Sequence, residues 1–293
     1  MTYIIILNYN GWKDTIECLE SLKCIQEDYK IVLIDNKSTD DSIDKLEKWI
    51  QNQKELSSNL IFITSSENNG YAAGNNIGIK YVESQEDAEF IWILNNDTLI
   101  KADILENLLN CHKNLEKENI ALLGSKILNE DFSMQSIGYL NSKYTEDEIK
   151  SKSSIEVEHI SGCSIFLRAD KIKEIGYIPE EYFLYYEETD WMKSIKQKGF
   201  KIFTCLSSAL VHKHAKSTGG IYSPFVIYYM TRNQILFNRK YLNSIQYYLF
   251  ITKMISRNLL KIIFYSFKNL KSSKSIFTGT IDGILNKKGK KES

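Results

Sequence analysis

Four short apolar runs, Tyr3–Leu7, Ile31–Ile34, Leu60–Ile63 and Phe90–Leu94, punctuate the first third of the chain. Each runs straight into polar residues: Asn8, then Asp35-Asn36, then Thr64-Ser65-Ser66, then Asn95-Asn96-Asp97. Between them the apolar positions fall at helical spacing. Trp12, Ile16, Leu19 and Leu22 form one such stripe, and Ile43, Leu46, Trp49 and Ile50 form another behind Asp40 or Asp41 as N-cap. Helices are predicted from about Ala72 to Val82 and from about Ala102 to His112, followed by a strand near Ala121–Leu128. Strands alternating with helices imply βαβ units and an α/β fold with a Rossmann-like, mostly parallel central sheet and flanking helices. Strands covered on both faces read as unbroken apolar runs, which is the pattern here. In such sheets ligands bind in the crevice at the carboxyl ends of the strands, so four polar strand ends in succession point to one site.

The second half is less regular. Residues 130–158 are polar and read as a surface excursion; His159–Leu167 reads as a strand, Thr189–Lys198 as a helix and Phe200–Thr204 as a strand. From about Pro224 onward the pattern is helical. With 293 residues, 43% hydrophobic, and only 2 prolines, the chain has material for one large core or two modest ones and no long linker. The five cysteines are scattered without a CxxC, which fits reduced thiols rather than a disulfide framework or zinc site. No stretch approaches the roughly 18 apolar residues that span a bilayer, and Ile4–Leu7 is too short for a signal peptide, so a cytoplasmic location is expected.

Net charge is zero, yet residues 239–293 hold 12 basic and 2 acidic residues, leaving 25 basic and 35 acidic in residues 1–238. That divides the chain into a body, residues 1–238, and a basic amphipathic helical C-terminal extension, residues 239–293. In the extension Lys253, Arg257 and Lys261 recur every four residues against a broad apolar face. Such a helix either lies on an anionic membrane surface or packs on the body with its lysines in water. The acidic body argues against nucleic acid as a partner.

Several segments carry candidate chemistry, each with a plainer alternative. Asp97 follows a buried strand and has no cation nearer in sequence than Lys101; a hard divalent cation bridging to substrate phosphates would satisfy it, and so would a turn or helix cap. Asp35 sits where a base N–H or a ribose hydroxyl is within reach, or where an Asx turn is. Asn69-Gly70 through Gly78 is rich in small residues but matches neither GxGxxG nor the P-loop; the chain passes close beneath a ligand there, or packs tightly on the sheet. In Tyr182-Phe183-Leu184-Tyr185-Tyr186-Glu187-Glu188-Thr189-Asp190-Trp191, Thr189 is a candidate cap and Asp190 lies in a first helical turn. The helix dipole there favours the ionised carboxylate, which suits a general base and equally suits ordinary helix chemistry. His212 and His214, two apart after an apolar run, put an imidazole in place to complete a metal site with Asp97, or stand as surface histidines.

Taken in order, Tyr-Ile-Ile-Ile-Leu-Asn-Tyr-Asn-Gly, Ile-Asp-Asn-Lys-Ser-Thr-Asp, Asn-Asn-Gly-Tyr-Ala-Ala-Gly-Asn-Asn-Ile-Gly and Leu-Asn-Asn-Asp-Thr resemble glycosyltransferase family 2. Ser161-Gly162-Cys163-Ser164, Glu187–Trp191, His212-Lys213-His214 and Tyr229-Met230-Thr231-Arg232-Asn233 are similar to its rhamnosyltransferase-like branch. The resemblance spans roughly residues 2–240. It implies a GT-A fold over residues 1–238, with a nucleotide-binding part to about residue 128 and an acceptor part beyond. It also implies a nucleoside-diphosphate sugar donor, a divalent metal (Mn2+ or Mg2+) and inversion at the anomeric carbon.

Position by position, the resemblance puts Asn8, Asp35, Asn36, Asn69, Gly70, Asn76, Asn95 and Asn96 at the donor, and Asp97 with His212 at the metal. It makes Asp190 the catalytic base and gives Glu187, Glu188, Trp191 and Arg232 to the acceptor. Asn95 stands where the family's DxD has its first Asp. The function expected is transfer of a hexose, rhamnose or another deoxyhexose, to a glycan or lipid-linked glycan at the inner face of the membrane, in cell-surface polysaccharide synthesis. The alternatives are a nucleotidyltransferase and an inactive, membrane-docked glycan-binding scaffold of the same fold.

Overall fold

The computed structural model describes residues 1–53, 58–140, 144–213 and 223–291. The chain forms two compact units. The first comprises Met1–Asn68, Ala73–Ile178 and Trp191–His214; the second comprises Asn69–Ala72, Pro179–Asp190 and Ala215–Ser293. The division from charge at residue 238 falls near the end of a helix, α8 (Pro224–Tyr241), that belongs to the second unit.

The first unit is built on one sheet. The apolar runs become β1 (Thr2–Asn8), β2 (Tyr29–Asp35), β3 (Leu60–Thr64) and β4 (Phe90–Asn95). They pair in parallel in the order β3-β2-β1-β4, with α1 (Trp12–Leu22), α2 (Ser42–Gln51) and α3 (Tyr71–Glu83) in the crossovers. Asp41 holds the N-cap position of α2, but it is Asp40 Oδ1 that accepts from Ser42 N–H, at 3.0 Å. Beta4 is followed by the two-residue β5 (Thr98–Leu99), α4 (Ile104–Asn114) and β6 (Ile120–Leu128).

Continuing the βαβ alternation would pair β6 with β4. Instead β9 (Ser164–Arg168) inserts between them, antiparallel to both. The polar excursion supplies β7 (Met134–Ser136), α5 (Glu146–Ser151) and β8 (Ser154–Glu156), followed after β9 by the short α6 (Ile172–Ile175). The strand expected at Phe200–Thr204 is the long β10 (Lys201–His212), parallel to β6 and antiparallel to β5 at its far end.

The glycines of α3 serve packing. A Cβ on Gly74 would lie 2.5 Å from Leu7, and one on Gly78 2.6 Å from Ile5, so the helix sits closer to β1 than any side chain allows. The core under the sheet gathers Ile4, Ile6, Leu19, Leu33, Trp92, Leu94, Leu105 and Phe166, all essentially water-free.

The helix expected from Thr189 begins two residues earlier as α7 (Glu187–Gln197); its first turn belongs to the second unit and the remainder to the first. In the second unit α8 starts at Pro224 behind a Ser223 cap and is followed by α9 (Ser244–Lys268) and α10 (Leu270–Ile284). Met254 and Asn258 are the buried residues of α9, and Asn258 donates to Thr280 Oγ1 on α10 at 2.9 Å.

Candidate active site

The carboxyl ends of β1, β2 and β4 are neighbours by register: Asn8 pairs with Asp35, and Leu7 with Asn95. Asp35 is wholly buried. Its Oδ2 accepts from Asn8 Nδ2 and from Ser38 Oγ, both at 2.7 Å, and its Oδ1 accepts from the Ser38 N–H at 2.7 Å. Asn8 Oδ1 in turn accepts from Thr15 Oγ1 at 2.8 Å, and Thr15 accepts from Asn96 Nδ2 at 2.9 Å. One chain of hydrogen bonds thus ties three strand ends to the start of α1. Three donors on Asp35 leave roughly one of its four acceptor positions for a ligand. Asn36 is also buried, and its amide reaches Asn68 Oδ1 at 3.2 Å.

Asp97 meets His212 because β5 pairs antiparallel with β10, opposing Thr98 and His212. Gln135, at the centre of β7, fixes the histidine. Its Nε2 donates to Asn129 Oδ1 at 3.0 Å and to the His212 carbonyl at 3.2 Å, so its Oε1 is the atom 2.9 Å from His212 Nδ1. An oxygen there accepts, so the ring proton sits on Nδ1 and Nε2 presents a lone pair. That Nε2 is 3.2 Å from Asp97 Oδ1. Oδ1 is buried with no hydrogen-bond partner among the described residues. Two such atoms facing each other in a partly dry setting make a place where a cation would satisfy both. Mixed carboxylate and imidazole donors suit Mn2+ and leave its remaining positions to substrate oxygens and water. No group of three or more His, Cys, Asp or Glu side chains suited to a metal occurs among the described residues. His214 lies outside the described residues.

The second unit holds its own cluster. Phe183, Tyr185 and Tyr186 have φ of 65°, 66° and 80°. This is left-handed backbone that bulky residues avoid, costing about 1–3 kcal/mol each. Asn233 Nδ2 holds the strained loop, lying 3.0, 2.8 and 2.8 Å from the carbonyls of Tyr182, Leu184 and Tyr185. Arg232 is buried; its Nη2 donates to the Tyr182 carbonyl at 2.8 Å, its Nη1 to the Gly289 carbonyl at 2.7 Å and its Nε to Asn233 Oδ1. Gly70 abuts the same loop. At φ +95° its Cβ would fall 1.9 Å from the Phe183 carbonyl oxygen, which accepts from Tyr71 N–H at 3.0 Å. Asn69 beside it is exposed.

The loop delivers three carboxylates to the start of α7, in different environments. Asp190 is wholly buried. Its Oδ2 accepts from Tyr182 at 2.9 Å and from Lys240 Nζ at 2.7 Å, and its Oδ1 accepts from Tyr241. Burial, reinforced by the Asp190 carboxylate, pushes both phenols well above their usual range, so they stay protonated and donate. Glu187 is buried, its Oε2 has no partner among the described residues, and burial with the neighbouring Glu188 charge raises its carboxyl well above the usual range. Glu188 is partly open and is also raised by desolvation.

The remaining predicted residues sit in the first unit. Asn76 is buried and exchanges two hydrogen bonds with the Ile178 backbone, at 2.8 and 3.2 Å, standing in for a strand partner. Trp191 is a core residue whose Nε1 donates to the Gly176 carbonyl at 2.9 Å. Thr15, Ser38 and Gln135 were not singled out from sequence, nor were Lys240, Tyr241 and Asn233 given roles.

A mostly parallel sheet with one antiparallel strand set in after β4, polar at its carboxyl ends, is the GT-A architecture of sugar-transferring enzymes. Residues 3–176 match Glycosyl transferase family 2, and the chain belongs to that family. It is 24% identical over 306 residues to the low-salt glycan biosynthesis hexosyltransferase Agl10 of Haloferax volcanii, an alignment covering 99% of this chain and 92% of the relative.

Among solved structures, the mannosyltransferase PcManGT of Pyrobaculum calidifontis, in complex with GDP-Man and Mn2+, superposes with a TM-score of 0.61 at 12% identity. That match covers 98% of this chain and 87% of the other. GalNAc-T7 with UDP, GalNAc and Mn2+ superposes with a TM-score of 0.63 at 16% identity, over 80% of this chain and 48% of the other. S. aureus TarS gives 0.57 at 17% identity, over 97% and 49%. At these identities the superpositions establish the fold. Family membership makes the chain a glycosyltransferase, in place of the nucleotidyltransferase alternative.

Proposed function

We propose that the chain is a metal-dependent, inverting glycosyltransferase. It moves a hexose, rhamnose or another deoxyhexose, from a nucleoside diphosphate to a glycan or lipid-linked glycan acceptor in cell-surface polysaccharide synthesis. The observation that carries the reading is the Asp97–His212 pair: a buried carboxylate oxygen without a hydrogen-bond partner, 3.2 Å from Nε2 of an imidazole whose Nδ1 is oriented by Gln135. Those two atoms would hold Mn2+ or Mg2+. When bound, the cation takes up charge developing on the departing diphosphate. Asp35, wholly buried and fixed by Asn8 and Ser38, sets the carboxyl end of β2 beside which the nucleoside would lie.

Transfer is a single displacement. An acceptor hydroxyl oxygen bonds to the anomeric carbon as the bond to the diphosphate oxygen breaks, and the hydroxyl proton passes to a carboxylate. The diphosphate departs as an anion, so no second carboxyl group is required as acid, unlike in glycoside hydrolysis. We assign the proton to Glu188 rather than Asp190. Asp190 already accepts from an ammonium and two phenols and has no open face, whereas Glu188 is partly open and desolvation raises its proton affinity above the usual glutamate range. Glu187 is more deeply buried, and burial with the neighbouring Glu188 charge raises its proton affinity.

We also propose that the protein works at the inner face of the membrane. No helix among the described residues is long and apolar enough to cross one. Alpha9 nevertheless exposes Leu249, Leu260, Ile263, Phe264 and Phe267 beside Lys253, Lys261 and Lys268, a composition suited to lying on anionic lipid.

The test is a thermal-shift panel of nucleoside diphosphates and nucleotide sugars with and without Mn2+, followed by nucleoside diphosphate release from the best donor. Release that requires Mn2+ and is lost in both Asp97→Ala and His212→Ala supports the reading. No release from any donor at saturating Mn2+ favours the inactive scaffold.

A further inference from the structure

The second unit carries a pocket that transfer chemistry does not use. It measures about 340 Å³ and is lined by Tyr228 and Arg232 of α8, Asp282 of α10, and Lys287, Lys288, Lys290 and Lys291 of the segment after it. The segment is anchored: Gly289 N–H donates to the Glu181 carbonyl at 2.7 Å, Gly289 accepts from Arg232, and Lys291 N–H donates to the Tyr229 hydroxyl at 2.9 Å.

Two of the cations are already neutralised. Lys287 pairs with Asp282 at 2.9 Å and Lys288 with Glu181 at 2.5 Å. Lys290 and Lys291 make no ion pair among the described residues, although, against desolvation, the Lys291 charge helps Lys287 hold the Asp282 carboxyl below its usual range; their ammonium groups lie over the rings of Phe183 and Tyr228, at 5.9 and 4.3 Å. Arg232 is 1% exposed and spends three of its five N–H donors on the protein. Tyr228 spends its hydroxyl on Asp282 at 2.8 Å; against that single lining carboxylate, four lysines and a guanidinium with donors to spare still concentrate positive potential in a concave site. Its complement is a compact polyanion rich in acceptor oxygens, which a phosphate is and a single carboxylate is not. At the end of α10, Ile281 and Ile284, with Leu285 just beyond it, are exposed at 42%, 36% and 63%, an apolar group that precedes the pocket's lysines in sequence.

We propose that this pocket binds a phosphate or diphosphate group carried on a lipid. The inference rests on the transferase reading only for which molecule delivers that group: a lipid-linked acceptor or a bulk anionic phospholipid.

The test measures equilibrium binding by the full chain, with neither donor nor metal present. Three probes separate the sources: farnesyl diphosphate in phosphatidylcholine vesicles, phosphatidylglycerol vesicles, and inorganic pyrophosphate in solution. The variant is Lys290→Glu with Lys291→Glu, both exposed; Lys113→Glu with Lys117→Glu, exposed in the first unit and away from α9, makes the same charge change elsewhere. Farnesyl diphosphate binding should weaken at least tenfold in the first variant and less than twofold in the second. Lys290→Ala with Lys291→Ala, expected to weaken binding at least threefold, keeps the test decisive if the glutamates unfold the segment.

Unchanged binding in the Lys290/Lys291 variants, or equal loss in both glutamate pairs, overturns the pocket. A preference for farnesyl diphosphate over the other probes supports a lipid-linked diphosphate, and equal, Lys290/Lys291-dependent binding of phosphatidylglycerol supports a bulk headgroup. Pyrophosphate bound as tightly as farnesyl diphosphate overturns the lipid part. Because no turnover is read, loss of the transferase reading leaves this result standing, and the reverse holds too.

Discussion

Replacing Gln135 with Leu tests the metal assignment without touching either ligand. The substitution removes the acceptor 2.9 Å from His212 Nδ1 and the two bonds from Nε2 that aim it. The imidazole is then free to carry its proton on Nε2, where it cannot ligate, and to turn away from Asp97. Loss of such an outer partner typically weakens metal affinity about 10–100-fold, or about 1.4–2.7 kcal/mol. Gln135→Glu keeps an acceptor opposite Nδ1 while losing the donors, so it should retain most of the affinity. The assay is a Mn2+ titration followed by the electron paramagnetic resonance signal of the free ion, in the presence of the nucleoside diphosphate that most stabilises the protein. Gln135→Leu binding Mn2+ within twofold of the parent, while His212→Ala loses it, would falsify the orienting role. If His212→Ala also binds normally, His212 is not a ligand.

Other outcomes follow from the same geometry. Glu188→Gln should lower kcat by about 10²–10⁴ with donor binding intact, whereas Glu187→Gln, which mimics a protonated side chain, should stay within a few-fold of the parent. Both glutamates have raised pKa values, so the fold binds more protons than the unfolded chain above the ordinary carboxylate range. Stability should therefore fall as pH rises from about 4.5 through the folded-state values, and Glu187→Gln should flatten that fall in pH-dependent melts. The acid limb of kcat should likewise lie above the ordinary glutamate range and vanish in Glu188→Gln. Asp190→Asn should act mainly on stability, costing about 1.5–3 kcal/mol as a charge-assisted hydrogen bond is lost; a hundredfold fall in kcat at unchanged melting temperature would return the base role to Asp190. Asn233→Leu should destabilise by about 1–3 kcal/mol by freeing the carbonyls of the strained loop, read by urea unfolding. Leu260→Glu with Phe267→Glu on α9 should abolish sedimentation with anionic vesicles, and undiminished sedimentation refutes the membrane-facing role of that helix.

Much of the first unit was legible because its physics is local. Buried parallel strands must be continuously apolar, their carboxyl ends are where polarity can resume, and both features print directly on the sequence at Asn8, Asp35 and Asn95. The pairing of His212 with Asp97 was one of two readings the residues left open, and the resemblance favoured it. It depends on β5, two residues long, which no periodicity announces. Gln135 was invisible because it sits in a polar stretch whose only distinction is where the chain places it. The second unit hid more. A run of left-handed aromatic residues without glycine carries no local signal, and the partners that occupy Asp190 come from 8, 50 and 51 residues away. Asp190 therefore looked open in sequence, where only the first-turn position was readable.

The placement of β9 has a consequence for biosynthesis. Beta4, Phe90-Ile91-Trp92-Ile93-Leu94-Asn95, pairs on one side with β1, already synthesised, but on the other with a strand that starts about 70 residues later. At ribosomal rates of roughly 5–20 residues per second, its apolar edge waits roughly 4–14 seconds for its cover. Nascent chains arrested in that interval should be the most chaperone-dependent of any length, and their solubility should recover once Arg168 has left the exit tunnel.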